Sequence, residues 1–136
     1  MIGAGARYFA VVFAIAFALG TIRTVWIAPA IGATAAVLVE LPIILLVSFV
    51  VARYIVTGAL IDSRGEALGA GAVAFAMLMV AEAGLAVLVF GQPVDVWLAD
   101  LWRVPGIIGL AGQIVFALMP FLVFWRYGGA ARLPPG

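Results

Sequence analysis

The sequence predicts an all-α fold, a transmembrane four-helix bundle with antiparallel, up-down helices and a short amphipathic surface helix between the third and fourth of them. Of the 136 residues, 68% are hydrophobic and only 10% are charged, whereas a soluble domain has about 45–50% apolar and about 25% charged residues. The apolar residues gather in four windows, each close to the roughly 20 residues that a helix needs to cross a bilayer. Only short connections separate the windows, so we predict a single integral membrane domain over residues 1–136.

Four transmembrane helices are expected at about residues 8–30, 35–56, 67–90 and 104–125. The first window also has features of a secretory signal, with Arg7 as a basic region and Ala28-Pro29-Ala30 as a cleavage site. Arg23 interrupts the apolar run before that site, and apolar residues resume after it. We therefore interpret the first window as an uncleaved transmembrane helix.

The first two connections predict how the helices join. The turn at residues 31–34 is very short and contains Gly32, which favours an antiparallel hairpin of the first two spans. Between the second and third spans, Ser63 and Glu66 have the spacing of a capping box, in which both side chains accept hydrogen bonds from N–H groups at a helix start. The third helix is therefore expected to begin near Arg64.

The surface helix is predicted over about residues 93–103, with Pro93 suited to its first position. Its apolar residues have the i, i+3, i+4, i+7, i+8 spacing of an amphipathic helix: Val94, Trp97, Leu98, Leu101 and Trp102. We expect this helix to lie along the membrane surface with its tryptophans toward the lipid. The alternative is an irregular loop that the same tryptophans anchor.

Charged and aromatic residues predict the orientation in the membrane. The side that holds both termini would carry five cationic residues: Arg7, Arg53, Arg64, Arg126 and Arg132. The other side would carry Arg103 beside two aspartates, so the positive-inside rule places both termini in the cytoplasm. Interfacial anchors are expected on the outer side at Trp26, Trp97 and Trp102, and on the inner side at Tyr8, Tyr54, Trp125 and Tyr127. Residues 128–136 are expected to form a frayed tail.

Each predicted span places a polar side chain deep within its apolar stretch: Arg23, Glu40, Glu82 and Gln113. Counted from the helix ends at about 1.5 Å per residue, all of them lie about 12–14 Å below the outer surface. A charge inside hydrocarbon costs at least about 2.5–3.5 kcal/mol, so an intramembrane ionisable residue indicates a functional site. We predict that these residues form one polar layer that binds a proton or a solute.

Glycines and prolines lie close to the predicted layer. Small residues let membrane helices approach and leave room for polar side chains, and four glycines are expected to do so here: Gly20, Gly84, Gly109 and Gly112. Pro42 and Pro120 lack the N–H that a helix interior requires, so the carbonyls near Leu38 and Phe116 should lose their usual partners. We expect both prolines to distort their helices near the layer.

The polar layer has a structural and a functional interpretation. In the structural one, Arg23 bridges Glu40 and Glu82, and Gln113 completes a network that locks the helices together. Interhelical hydrogen bonds in membranes contribute only about 0.6–2 kcal/mol, which is less than the cost of burying the charges. One arginine also cannot neutralise two carboxylates, so one of the two glutamates should carry a proton or face another cation. An exchangeable proton is what a proton-coupled transporter needs.

Several residues form a set that spans most of the chain: Gly20-Thr21-Ile22-Arg23, Trp26, Pro29, Glu40-Leu41-Pro42, Glu82 and Pro120. This set resembles a family of small bacterial four-helix integral membrane proteins of unknown function. The resemblance implies a multi-pass protein of the bacterial inner (cytoplasmic) membrane and brings no activity with it. Small multidrug transporters also have four helices and a membrane-embedded glutamate, but theirs lies in the first helix, where this chain has Arg23, so that likeness is an analogy only.

We therefore predict proton-coupled transport or permeation of a small polar or cationic solute, and the alternative is a structural or accessory subunit of a membrane complex. The expected partners are the lipid bilayer and either further copies of the chain or another membrane protein, because four helices make a thin wall for a pathway. A net charge of +1 indicates no nucleic-acid partner.

The lack of cysteine and histidine excludes disulfides, thiol catalysis, the usual zinc sites and haem ligation by these residues. We predict no cofactor, no metal and no enzymatic activity. Carboxylate acid–base chemistry on a lipid is the one enzymatic alternative that this composition leaves open.

Overall fold

The computed structural model describes residues 2–58 and 61–127, and the predicted frayed tail at residues 128–136 lies outside them. Within these ranges the chain is all-helical and has no β-strand: its helices are α1 (Ile2–Ile31), α2 (Ala33–Thr57), α3 (Arg64–Val89), α4 (Val94–Asp100) and α5 (Gly106–Tyr127). All of them except α4 are long and apolar enough to cross a membrane. The predicted all-helical class is therefore confirmed, and four helices have the length and composition that membrane spans require, as in a multi-pass membrane protein.

Helix α1 begins at Ile2, well before the predicted start near Tyr8. Gly5 is buried, and a Cβ added there would lie 2.7 Å from the main-chain carbonyl oxygen of Ala70 in α3. The start of α1 thus packs closely on α3. That packing outweighs the weak helix propensity of the glycines at this end of the chain.

Two segments inside the spans are π-helical, a feature that the sequence did not predict. One covers Arg23–Ile27 in α1, where the Ala28 N–H bonds the Arg23 carbonyl, and the other covers Leu85–Val89 in α3. The first segment precedes Pro29, whose ring would clash with the carbonyl four residues earlier in a regular α-helix. The wider π turn accommodates this proline, and α1 continues past it to Ile31.

The observed connections follow the predicted ones closely. Gly32 alone separates α1 from α2, and its φ of 93° is one that side-chain-bearing residues rarely adopt. At the start of α3, the Glu66 N–H donates to Ser63 Oγ (3.1 Å), and Glu66 Oε2 accepts from the Asp62 N–H (2.7 Å). The predicted Ser63 cap and the helix start at Arg64 are therefore confirmed, whereas the return bond of the capping box goes to the Asp62 N–H rather than to that of Ser63.

Helix α4 forms within the predicted surface segment, so the helix rather than the irregular loop is correct. It is shorter than expected, and Pro93 precedes it in an extended conformation instead of opening it. The last span begins at Gly106 rather than near Val104. The reason is Pro105, because a proline disfavours the helical conformation in the residue before it.

Packing is concentrated at one end of the molecule. Helix α5 packs against α2 and α3, and α1 packs against the same two helices. Many of the most buried apolar side chains lie toward the end that holds the start of α1 and the end of α5: Tyr8, Val12, Ala52, Ile55, Val56, Ala67, Ala70, Ala74, Val123 and Phe124. The opposite end, which holds Gly32 and α4, is less tightly filled.

The predicted aromatic anchors divide into buried and exposed residues. Tyr8 was predicted at the inner interface, which is wrong, because its side chain is completely buried in the core. Trp26, Trp102 and Trp125 are exposed, and Trp97 is half-buried. Exposure suits an interfacial tryptophan, and the anchoring role of these four residues stays a prediction.

Candidate functional site

The polar residues of the predicted layer line one cavity of about 340 Å³. Arg23 reaches it from α1, Glu40 from α2, Glu82 from α3 and Gln113 from α5. Along α5 the cavity extends from Gly106 to Phe116, a rise of about 15 Å. The structure therefore brings together all the side chains that the sequence singled out, and it places them around a space large enough for a small molecule.

Arg23 and Glu40 form an ion pair across the α1–α2 hairpin. Arg23 Nη1 donates to Glu40 Oε2 at 2.5 Å, and the two side chains are 33% and 13% exposed. Gly32 turns the chain sharply. A residue that lies a given number of positions before it therefore faces a residue that lies a similar number of positions after it. The pair stands at the start of the first π-helical segment, and π-bulges occur often at functional sites.

Glu82 and Gln113 form a second pair, between α3 and α5. Gln113 Nε2 donates to Glu82 Oε1 at 2.6 Å, and both side chains are partly buried. This bond joins a carboxylate to a neutral amide, so it provides a hydrogen bond but no opposite charge. Within the described residues, Glu82 forms no ion pair.

The observed pairing corrects the predicted bridge. Arg23 was expected to link Glu40 with Glu82, yet in the described part of the chain its ion pair is with Glu40 alone. Counting residues gives the depth of a side chain but not the direction in which it leaves its helix. The layer thus consists of two separate pairs, one between α1 and α2 and the other between α3 and α5, rather than one closed network.

Gln113 has an unsatisfied acceptor. Its Oε1 is buried and has no hydrogen-bond partner within residues 2–58 and 61–127. Leaving such a group unpaired costs about 1–3 kcal/mol, and buried polar atoms in proteins are nearly always paired. An acceptor kept at this cost, beside a carboxylate and a cavity, is suited to a ligand that brings its own donor.

Most of the cavity wall beyond the polar layer is apolar. Toward the packed end the wall contains large side chains, with Ile44, Leu78 and Phe116 one helical turn from the polar residues of their own helices and Phe9 and Phe13 farther along α1. Leu101 and Pro105 line it near the connection from α4 to α5. The space is therefore amphipathic, with charge and hydrogen-bonding groups at mid-depth and aromatic and aliphatic groups below them.

Two of the predicted glycines lie at the cavity, and one of these, Gly112, also allows the predicted close approach of helices. Gly109 and Gly112 line the cavity, and a Cβ at Gly84 or Gly109 would meet nothing within 4 Å. Close helix approaches occur at Gly112, where a Cβ would overlap the Leu41 side chain of α2, and at Gly5 and Gly71, where it would come too close to the main chain of Ala70 and of Ala117. Both missed glycines lie in runs of small residues, Gly3-Ala4-Gly5 and Gly69-Ala70-Gly71, a pattern typical of close contacts between membrane helices.

The two predicted prolines lie inside continuous helices, and distortion of these helices by them stays a prediction. Pro42 is exposed on α2, and Pro120 is buried in α5. The carbonyl that Pro120 frees, at Phe116, accepts a hydrogen bond from the Tyr8 hydroxyl at 2.6 Å. The sequence predicted the free carbonyl but not its partner, because Tyr8 was assigned to the membrane interface.

The groups at the site offer charge and hydrogen bonding. In the part of the chain that the structure describes, no cluster of three or more His, Cys, Asp or Glu residues is placed to hold a metal ion. Two carboxyls, a guanidinium and an amide can bind a proton, a hydrogen-bond donor or a cation. Comparisons with protein families, with curated proteins and with solved structures found no match to this chain.

Proposed function

We propose that this chain is a small transporter or permeation protein that moves protons together with a small polar or cationic solute. The observation that carries the proposal is the cavity of about 340 Å³, which all four polar side chains line. A polar layer that only locked helices together would have no need of such a space. A solute or a proton bound in the cavity would contact carboxyls that are otherwise expensive to keep inside a membrane.

The proposal includes an arrangement in the membrane. The four long helices would form an antiparallel, up-down bundle in the bacterial inner membrane, with both termini in the cytoplasm. The sharp turn at Gly32 and the excess of arginines toward the end with both termini support this orientation. The cavity would then lie toward the outer face, and the packed end of the bundle would close it from the cytoplasm.

Incomplete pairing supports a functional layer over a structural one. A network that served only stability would be expected to satisfy its polar atoms, yet Gln113 Oε1 has no partner among the described residues. Glu40 already has a cation in Arg23, whereas Glu82 faces only an amide. Glu82 is therefore the carboxyl best placed to exchange a proton or to meet a solute.

Flux measurements in liposomes test the proposal. The purified protein would be reconstituted with a pH-sensitive dye inside, and proton flux would be followed after an imposed pH gradient. Wild type would be compared with Glu82→Gln and Glu40→Gln. The matched control is Glu66→Gln, the same substitution on α3 at a residue outside the cavity. We expect Glu82→Gln to abolish most of the flux and Glu66→Gln to leave it unchanged.

The same variants separate transport from an accessory role. Flux equal to that of the wild type in a correctly folded Glu82→Gln protein would overturn the proposal. If the cavity variants instead fail to assemble in native membranes while the control assembles, the chain is better described as a structural or accessory subunit. Size-exclusion chromatography in mild detergent and pull-down from membranes provide that comparison, and they also report whether further copies or another membrane protein complete the pathway.

A further inference from the structure

The two carboxyls of the cavity differ in how their charge is met. The guanidinium of Arg23 contacts Glu40 directly, so this pair is close to neutral as a unit. Glu82 receives a hydrogen bond from Gln113, which carries no charge. When Glu82 is ionised, its negative charge is therefore the one available to a ligand, on the α3–α5 side of the cavity. A cation would be attracted there, and an anion would be repelled.

The same side of the cavity offers acceptors and lacks donors. Gln113 directs its Nε2 donor to Glu82 Oε1, which leaves its own Oε1 buried without a partner in the described residues. The second oxygen of Glu82 accepts no hydrogen bond from those residues either. A ligand with a positive charge and at least two N–H or O–H donors would match Glu82, and it would also match Gln113 Oε1 once the buried amide turns toward the cavity. An ammonium group meets both requirements, since it has up to three donors and no acceptor.

The side chains around Glu82 and Gln113 indicate the chemistry of the ligand beyond its ammonium group. Leu78 lies one helical turn from Glu82, and Phe116 lies one turn from Gln113, both on the cavity wall. Phe9 and Phe13 of α1 complete this apolar region. An ammonium held between Glu82 and Gln113 would therefore have an apolar wall within roughly 6 Å. This distance between the ammonium and the apolar wall suits an aromatic or branched aliphatic group of one ring or a few carbons.

We infer that the cavity binds a primary amine in its protonated form, with the ammonium between Glu82 and Gln113 and an apolar body directed toward Phe116. This inference rests on the proposed function and narrows its solute to a class, the small amphipathic monoamines. The Arg23–Glu40 pair joins the other two helices, α1 and α2, and does not hold the ammonium. This ion pair makes part of the cavity wall polar. Because Arg23 neutralises Glu40, no second negative charge acts on the ligand.

Calorimetric titration of the purified protein in maltoside micelles tests the inference, with protein-free micelles as the blank. The probe is benzylammonium, compared with benzyl alcohol, which lacks the charge, and with benzyltrimethylammonium, which keeps the charge but has no N–H donor. We expect benzylammonium to bind about 10- to 100-fold more tightly than either analogue, as is typical for loss of a charged hydrogen bond. Equal binding of the three compounds would overturn the inference.

Variants locate the ammonium within the cavity. Glu82→Gln and Gln113→Leu should each weaken benzylammonium binding by about tenfold or more. The double variant Arg23→Gln with Glu40→Gln removes the other pair without changing the net charge, and it should change the affinity by less than about threefold. The reverse pattern, with tight binding in Glu82→Gln and loss in the double variant, would place the cation at Glu40 and overturn the inference.

Comparison with the flux assay separates this inference from the proposed function. Binding that depends on Glu82, without any flux, supports the amine site and contradicts transport. Flux that depends on Glu82, without benzylammonium binding in the same preparation, overturns the amine site and leaves transport in place.

Discussion

The hydroxyl of Tyr8 donates a hydrogen bond of 2.6 Å to the main-chain carbonyl of Phe116, the carbonyl that Pro120 leaves without a helical partner. The two rings also stack, with centroids 4.5 Å apart. A break in the hydrogen bonding of α5 is thus repaired by a side chain from α1. The contact lies at the closed end of the cavity, where Phe116 forms part of the wall.

Tyr8→Phe should destabilise the protein by about 1–2 kcal/mol, because it keeps the stacked ring and removes the hydroxyl that donates to the buried Phe116 carbonyl. Denaturation of the protein in mixed micelles measures the change. Pro120→Ala supplies the control, since alanine restores the N–H that can bond the Phe116 carbonyl within α5. In that background Tyr8→Phe should cost clearly less. Equal costs in the two backgrounds would show that the hydrogen bond is not what stabilises this contact.

Glu40→Gln should destabilise the protein more than Glu82→Gln does. The first substitution leaves the Arg23 guanidinium without its counter-charge, whereas the second keeps a hydrogen-bond partner for Gln113 and strands no charge. The loss for Glu40→Gln should fall below the ~3–5 kcal/mol of a fully buried pair, because Arg23 is 33% exposed.

Thermal unfolding in detergent, followed by circular dichroism, compares these variants. Adding Arg23→Gln to Glu40→Gln should recover much of the lost stability, since the double variant has no unpaired charge. If the double variant is no more stable than Glu40→Gln alone, the guanidinium is adequately solvated without Glu40, and the ion pair contributes little.

The depth of each polar side chain in the membrane was predictable from the sequence, whereas the direction in which it leaves its helix was not. Counting from the turn at Gly32 placed Arg23 and Glu40 at one level, and the structure joins them in an ion pair. The same counting could not tell that Glu82 pairs with Gln113, because the spans are apolar on every side and give no hint of which face points inward. Partner choice depends on the rotation of each helix, which packing of the whole chain determines.

The missed features share this cause. Tyrosine is a residue type that is common at membrane interfaces. Only the fold shows that the Tyr8 hydroxyl bonds the Phe116 carbonyl, which Pro120 leaves without its helical partner. The helix cap at Ser63 was predictable because its hydrogen bonds connect residues within four positions of one another. The π-helical segment at Arg23–Ile27 was not predictable in the same way, since it depends on how α1 bends around a proline and a buried ion pair.

Gly71→Ala should destabilise the protein by about 1–3 kcal/mol, as for other overpacked sites. The new Cβ would overlap the main-chain carbonyl of Ala117, so α3 and α5 would have to move apart. Gly84→Ala is the matched control on the same helix, because a Cβ there meets nothing within 4 Å. The control should be neutral or stabilising by up to about 1 kcal/mol. Similar unfolding midpoints for both variants would contradict the close approach at Gly71.

Gly109→Leu should block flux and amine binding while leaving the protein folded. Gly109 lines the cavity, and a Cβ at this position meets nothing within 4 Å, so a leucine side chain can extend into the space without overlapping the backbone. Leucine is also the better helix former by up to about 1 kcal/mol, which favours retention of α5. Any loss of function would then arise from filling the cavity rather than from unfolding.

The control for this last variant is Gly84→Leu. Gly84 also has open space around its Cβ position, but it lies outside the cavity wall. Both proteins should elute alike from a sizing column, and only Gly109→Leu should lose benzylammonium binding and proton flux. Because the charged residues stay intact in both variants, this comparison measures the effect of the cavity volume separately from the effect of the charges. Normal flux in Gly109→Leu would mean that the solute path avoids the cavity, and the carboxyls would then need another route to water.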